Sequence, residues 1–255
     1  MNYDVVIMAG GVNSGELRKY APYESEALII IGNYPMILYV YEAVKRSNKV
    51  GNIIISGPDS LRELFKKEEN LVFTPPGEDP LESLSNALNT VGVANLSEKV
   101  LVLPTDIPFI TPEAIDDFID RTEQFEADFY YAIVRKEVNE ARFPGVIRTY
   151  VNIKEGTFTG GNLFVIRTPI VNQCIELGKK LVQKRKNPLA QAKLFGMKLV
   201  FKFITRQLSI ADAEQRFSEI LGISGRAVVS PYAEVGVDVD KPSDLKLAEQ
   251  YLGKK

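Results

Sequence analysis

Val5-Val6-Ile7-Met8-Ala9-Gly10-Gly11-Val12-Asn13-Ser14-Gly15 places an uninterrupted apolar run directly ahead of a glycine-rich turn. A run that short and that apolar suits a strand covered on both faces. The pattern recurs: Asn52 to Ser56, Val100 to Leu103, Phe129 to Val134, Leu163 to Ile166 and Leu199 to Ile204 also read as strands. Helical spacing lies between them. Ile37, Val40, Tyr41 and Val44 form one apolar stripe, and Leu81, Leu84 and Leu88 a second. Ile115, Phe118 and Ile119 form a third, with Thr111 as cap ahead of Pro112. Strand alternating with helix predicts the α/β class: a doubly wound, mostly parallel sheet of Rossmann-like type, with ligands at the carboxyl ends of the strands.

The 255 residues are 45% hydrophobic, enough to bury one full core, so a single domain spanning residues 1–255 is expected. Between Val134 and Leu163 the helical rhythm stops, and Gly145 to Val151 reads as extended chain, which predicts a substrate-side insertion around residues 135–162. From Pro169 onward the chain reads as helical and basic, with Lys179-Lys180 and Lys184-Arg185-Lys186 around a Leu/Val face. Ser209-Ile210-Ala211-Asp212 has the spacing of a capping box, and a last helix is expected over Ser243 to Leu252.

Composition removes several functions. The 31 basic and 33 acidic side chains nearly cancel, so the strong positive field of a nonspecific nucleic-acid binder is absent and no nucleic-acid partner is expected. The lone cysteine, Cys174, has no partner for an internal disulfide and reads as a small apolar residue. No basic leader precedes Val5 and no run approaches the roughly 18 apolar residues of a membrane span, so a cytoplasmic protein with no membrane partner is expected. Tyr39 and Tyr41 leave homodimerisation open. The chain has no histidine, which excludes Ser-His-Asp and Cys-His catalysis and histidine metal sites. Phosphoryl and nucleotidyl transfer suit that restriction, because positioning and charge neutralisation carry most of the rate and the metal ligands can all be oxygens.

Three segments carry candidate chemistry. Ala9-Gly10-Gly11-Val12-Asn13-Ser14-Gly15 can bring backbone N–H groups close to phosphate oxygens, or can be an ordinary tight turn. Leu101 to Phe109 is an apolar strand ending in Asp106, which puts one carboxylate at the ligand edge, for a hard divalent cation or to cap a turn. In Val235 to Leu245, Asp238 and Asp240 alternate in an extended segment and so point the same way, where they repel unless a cation neutralises them. The plainer reading gives Asp240 or Asp244 to the N-terminus of the last helix, and for Asp244 that reading is preferred.

Taken together, these segments resemble the MobA-like NTP transferase family, within the nucleotidyltransferases of glycosyltransferase-A-like fold. The resemblance implies that Ala9-Gly10-Gly11 wraps the nucleotide, that Asp106 in Asp-x-Pro is a metal ligand, and that Asp238 or Asp240 is the second. Glu26-Ala27-Leu28-Ile29-Ile30-Ile31-Gly32-Asn33-Tyr34-Pro35-Met36 looks like the family's Lys-x-Leu-x-x-x-Gly-x-x-Pro-Met segment, with one departure. Where the family usually has Pro-Lys, with the lysine on the triphosphate, this chain has Ser25-Glu26, and the usual Gly-x-Arg after the glycine loop is missing. A carboxylate beside phosphates opposes binding, so another cation must substitute or activity is altered; Arg18, Lys19 and Lys186 are the candidates. Thr159-Gly160-Gly161-Asn162 looks like the family's acceptor-contacting segment, with a β-bulge or turn as the alternative. Arg148 can fork onto an acceptor phosphate or make a surface ion pair, and Ser83 can donate to the base or cap a helix. The implied activity is Mg²⁺-dependent transfer of NMP from an NTP to a small-molecule acceptor, phosphorylated or hydroxylic. The rivals are a noncatalytic nucleotide-binding protein of the same fold and a nucleotide-sugar-dependent glycosyltransferase.

Overall fold

The computed structural model describes residues 2–68, 71–173, 175–176 and 196–253. Lys186 and Cys174, with the basic stretch around Lys179 to Arg185, lie outside the described residues.

The architecture follows from two facing apolar surfaces on each buried strand. β1 (Tyr3–Met8), β4 (Val50–Ser56), β5 (Leu71–Thr74) and β6 (Lys99–Pro104) pair in parallel, with β1 between β6 and β4, while β2 (Ile30–Ile31) and β3 (Tyr34–Pro35) form a small antiparallel pair of their own. Along β6 the side chains alternate. Leu101 and Leu103 pack on one face, beneath α2 (Met36–Lys45) and α4 (Pro112–Thr122), whereas Val100 and Val102 pack on the other, beneath α3 (Pro80–Val91). Burial on both faces is what makes these strands read as continuous apolar runs. Thr111 caps α4 by accepting from Ala114 N, with Pro112 in the first turn, as its sequence predicts.

The second half of the sheet is built around one long antiparallel strand. β9 (Gly156–Arg167) inserts between β6 and β7 (Phe129–Arg135), running against both, and β10 (Gly225–Ser230) joins β7 in parallel. With β8 (Val151–Ile153) paired to β9, the order across the sheet is β10-β7-β9-β6-β1-β4-β5. The expected α/β fold with a mostly parallel sheet is therefore present. Because β9 runs the other way, its early residues, not its late ones, lie at the edge where the parallel strands end. Strand order reverses at β1, so the glycine turn after it opens at the point where doubly wound sheets bind ligands.

Four local expectations need correction. Leu199 to Ile204 is a helix (Met197–Ile204), not a strand. Leu199 N and Val200 N both bond back to Gly196 O, and Lys202 Nζ reaches Asp212 at 2.6 Å on the capping-box helix Ile210–Leu221. A short apolar run by itself does not separate strand from helix. The helical rhythm does not stop throughout 135–162, because Lys136–Arg142 forms α5 (α1 being Gly15–Tyr20), seated on the core by Val138. The strand at Leu163 begins earlier, at Gly156, so the Thr159 to Asn162 segment lies inside β9 rather than ahead of it. Finally, β5 and β10 had no strand assigned to them; both are short and sit at the two sheet edges.

Candidate active site

A cavity of about 610 Å³ opens where the loops after β1, β5 and β6 meet, lined by Gly10 and Gly11, Gly77 to Leu81, Ser83, Thr105 and Asp106, with Tyr131, Gly161 and Asn162 across from them. Gly10 is needed for that meeting. A Cβ placed there would stand 2.9 Å from Pro76 Cβ, so the β1 loop and the 75–77 loop approach only because it is absent. Gly11 lies against the Glu26 carboxylate, and Glu26 N donates to Gly11 O at 3.1 Å.

Asn13, expected at the nucleotide, serves the loop instead. It is fully buried, and its Nδ2 donates to Ala21 O (2.7 Å) and Tyr23 O (3.0 Å), while its backbone N donates to Glu24 O. Together with the Val12–Ser25 bridge, these bonds close the chain from Ala9 to Ser25 into a rigid arm that holds Glu26 beside Gly11. Ala9 is buried beneath the cavity, its N bonded to Ser56 O. Gly15 has φ +61° and begins α1. Ser83 does not cap a helix. Asp79 caps α3 by accepting from Glu82 N, and the Ser83 hydroxyl accepts from Gly77 N (2.9 Å) and bonds Asp79 O (3.0 Å), shaping the loop that walls the cavity.

The acidic residues converge as the alternation predicts. Val237 and Val239 are fully buried in a cluster with Leu17, Phe109, Phe143 and Leu245, which turns the intervening Asp238 and Asp240 the other way, toward Asp106. Val239 N donates to Asp106 O at 2.8 Å and pins the two segments side by side. One carboxylate oxygen from each of Asp106, Asp238 and Asp240 lies within 4.8 Å of the others. Burial, then Asp238, Asp240 and Glu26, push the Asp106 carboxyl up to about 8. Burial followed by Asp240 and Asp238 raises Glu26, and burial followed by Asp238 raises Asp240. Asp106 Oδ1 is enclosed and has no hydrogen-bond partner. An orphaned carboxylate oxygen among other carboxylates fits a hard cation with oxygen ligands, and the all-oxygen donor set suits Mg²⁺. Asp244 is buried and accepts from Asp240 N in the first turn of the last helix (Pro242–Leu252), in keeping with its plainer reading.

Arg148 joins this group from the irregular segment after α5. It makes a bidentate pair with Asp238, with NH2 at 3.0 Å from Oδ2 and NH1 close to Oδ1. Neither Arg18 nor Lys19 lines the cavity; both are exposed, and Arg18 lies 3.8 Å from Glu24. Among the described residues, none that lines the cavity is a lysine or arginine. Arg148, itself outside that lining, is the cation paired with Asp238.

Across the cavity, Asn162 Nδ2 donates to Val235 O at 3.2 Å, tying β9 to the segment that leads to Asp238. Thr159 is buried opposite Val134, and Gly160 lies under the ring of Tyr131. A Cβ on Gly161 would stand 2.9 Å from Ala132 Cβ, Ala132 O and Val235 Cγ1. Close packing therefore accounts for Gly161 without a ligand, and the β7–β9 register slips between Tyr131 and Ile133, the bulge considered for this stretch. Gly161→Ala is expected to cost about 1–3 kcal/mol in urea denaturation, since a backbone carbonyl must move; wild-type stability would mean that the contact relaxes freely. Tyr131 escaped the sequence reading although it lines the cavity. Its only signal is an aromatic at one of the outward positions of an alternating strand.

A model of the MobA-like NTP transferase domain matches residues 5–193. The chain belongs to the MobA-like NTP transferase family. Family members are nucleotidyltransferases by fold and by name, and the matched span carries the glycine turn, Asp106 and the β9 segment, whereas Asp238 and Asp240 lie beyond it. Among solved structures, a hypothetical transferase from Thermus thermophilus is 35% identical, with a TM-score of 0.83, covering 96% of this chain and all of that one. A CMP:2-keto-3-deoxy-manno-octonic acid synthetase complexed with CTP shares the fold at 14% identity and a TM-score of 0.63, with 99% of each chain covered. A 4-diphosphocytidyl-2C-methyl-D-erythritol synthase from Anaerococcus prevotii does so at 13% identity and a TM-score of 0.60, with 98% of each covered. No curated protein matches the chain. No helix among the described residues is long and apolar enough to cross a membrane.

Proposed function

We propose that the protein is a metal-dependent nucleotidyltransferase, joining NMP from an NTP to a small phosphorylated or hydroxylic acceptor with release of pyrophosphate. The observation that carries this reading is the convergence of Asp238 and Asp240 on Asp106, which itself lines the glycine-walled cavity and whose Oδ1 is enclosed and unpartnered. In the reaction an acceptor oxygen attacks the α-phosphorus, the bond from that phosphorus to the α–β bridging oxygen breaks, and pyrophosphate leaves with that oxygen. Asp106 with Asp238 or Asp240 would hold a divalent cation, which would supply charge neutralisation for the phosphates.

The residues of the chain do the rest. The Gly10–Gly11 turn lets the phosphates approach the backbone, and the 77–83 loop, shaped by Ser83, walls the base side. Asn162 and Tyr131 face the acceptor side of the cavity. An acceptor that is itself a phosphate needs no general base, which suits a chain without histidine.

The test is a thermal-shift panel of the four NTPs with and without Mg²⁺. A ligand at about 100 times its Kd adds about 2.7 kcal/mol, which at this size corresponds to about 5–10 °C. One NTP is expected to give that shift only with Mg²⁺, and product analysis is then expected to find pyrophosphate. A nucleoside diphosphate product would move the assignment to a sugar transferase. No shift with any NTP would favour a noncatalytic member of the fold, the reading to which Glu26 at the family's lysine position points.

A further inference from the structure

Arg148 is the feature that the proposed reaction leaves unexplained. A guanidinium in a fork on Asp238 occupies the electrostatic role that a divalent cation would take on the same carboxylate. The two cannot both dominate Asp238. We infer that Arg148 exchanges partners: it neutralises Asp238 in the metal-free protein, then transfers its guanidinium to a phosphoryl group of bound substrate when Asp238 turns to the cation. This inference rests on the nucleotidyltransferase reading above.

Three independent observations support the exchange. Arg148 Nε is buried and has no acceptor, so its present arrangement leaves one N–H of the fork unused. A phosphoryl group, with three oxygens, can satisfy that fork in the same bidentate manner as a carboxylate. The exchange also needs slack in the segment that carries Arg148. It has no helix or strand between Arg142 and Val151, its Gly145 has φ +87° with open space around it, and Ile147 is 77% exposed. Finally, the charge at the site needs such a cation. Glu26, Asp106, Asp238 and Asp240 crowd together, and the lysine that the family places at position 26 is a glutamate here. The Arg148 guanidinium on Asp238 supplies a positive charge of the kind that substitution removes. Lys241 Nζ, the other cation nearby, is 3.5 Å from Ile147 O and thus leans on the same segment.

The experiment measures Mn²⁺ binding to the full chain, from the free-ion electron paramagnetic resonance signal, without nucleotide, in wild type, Arg148→Gln and Asp106→Asn. Coupling between sites of this kind is typically 5–150-fold, so Arg148→Gln is expected to bind Mn²⁺ about tenfold more tightly than wild type. In saturating Mn²⁺, the same variant is expected to bind inorganic tripolyphosphate or orthophosphate at least about tenfold more weakly, since a charge-assisted fork is lost. Weakened tripolyphosphate places the guanidinium on the donor; weakened orthophosphate alone places it on the acceptor. Equal or weaker Mn²⁺ binding in Arg148→Gln overturns the inference, since Arg148 would then merely orient Asp238, and so does unchanged binding of both phosphates. Mn²⁺ binding by wild type that is lost in Asp106→Asn keeps the metal reading standing in either case. Absence of Mn²⁺ binding in both wild type and Arg148→Gln overturns the metal reading itself. Arg148→Lys is the companion variant: it keeps the charge without the fork and is expected to bind Mn²⁺ near the wild-type level but tripolyphosphate weakly.

Discussion

Asp106→Asn is expected to lower turnover about a thousandfold, the equivalent of about 4 kcal/mol of transition-state stabilisation lost with one metal ligand. The same substitution is expected to raise the melting temperature of the metal-free protein at pH 9. The ionised Asp106 carboxylate is enclosed beside three other acids, and these surroundings push it up to about 8. A carboxyl raised in this way contributes its stability below the unfolded value near 4 and loses it as pH rises through 8. The amide variant escapes that loss, so its advantage should be largest above pH 8 and vanish below about pH 4. Adding Mg²⁺ should narrow or reverse the order, because only wild type gains the cation. Steady-state kinetics and melting curves at pH 4 and pH 9 check the set. Wild-type turnover in Asp106→Asn would remove the proposed mechanism, and a lower melting temperature at pH 9 would show that the carboxylate contributes to the fold.

Phe118→Ala is expected to destabilise the protein by about 3–5 kcal/mol, the usual cost of emptying a core aromatic site. Phe118 is fully buried on α4 with Ile115 and Ile119, against Leu101, Leu103 and Tyr130 of the sheet. Those strands and α4 flank the Asp106 loop, so the loss should appear as a lower urea midpoint with an unchanged slope. At temperatures where the variant stays folded, nucleotide binding should persist. A cost under about 1 kcal/mol would mean that the neighbouring side chains collapse into the space.

The parts of this protein legible in its sequence are those governed by local repetition. A strand buried on both faces has to be apolar throughout, so β1, β4 and β6 stood out in Val5 to Met8, Asn52 to Ser56 and Val100 to Leu103. The Val237-Asp238-Val239-Asp240 alternation likewise told which side chains go inward and which face out. Edge strands β5 and β10 carry shorter and weaker patterns, and Leu199 to Ile204 is too short an apolar run for its period alone to separate strand from helix.

What the sequence by itself determined was the alternating α/β fold, the glycine turn after β1 and the three aspartates, because strand period and turn chemistry are properties of a few adjacent residues. What only the tertiary structure decided was who meets whom. Asn13 turned inward to close its own loop, Gly161 yielded its space to Ala132 and Val235, and Arg148 crossed from the segment after α5 to Asp238. The Gly161 packing depends on β9 running against its neighbours, Arg148 and Asp238 meet across 90 residues, and even the Asn13 bonds span eight and ten residues; contacts at such separations leave no periodic trace along the chain.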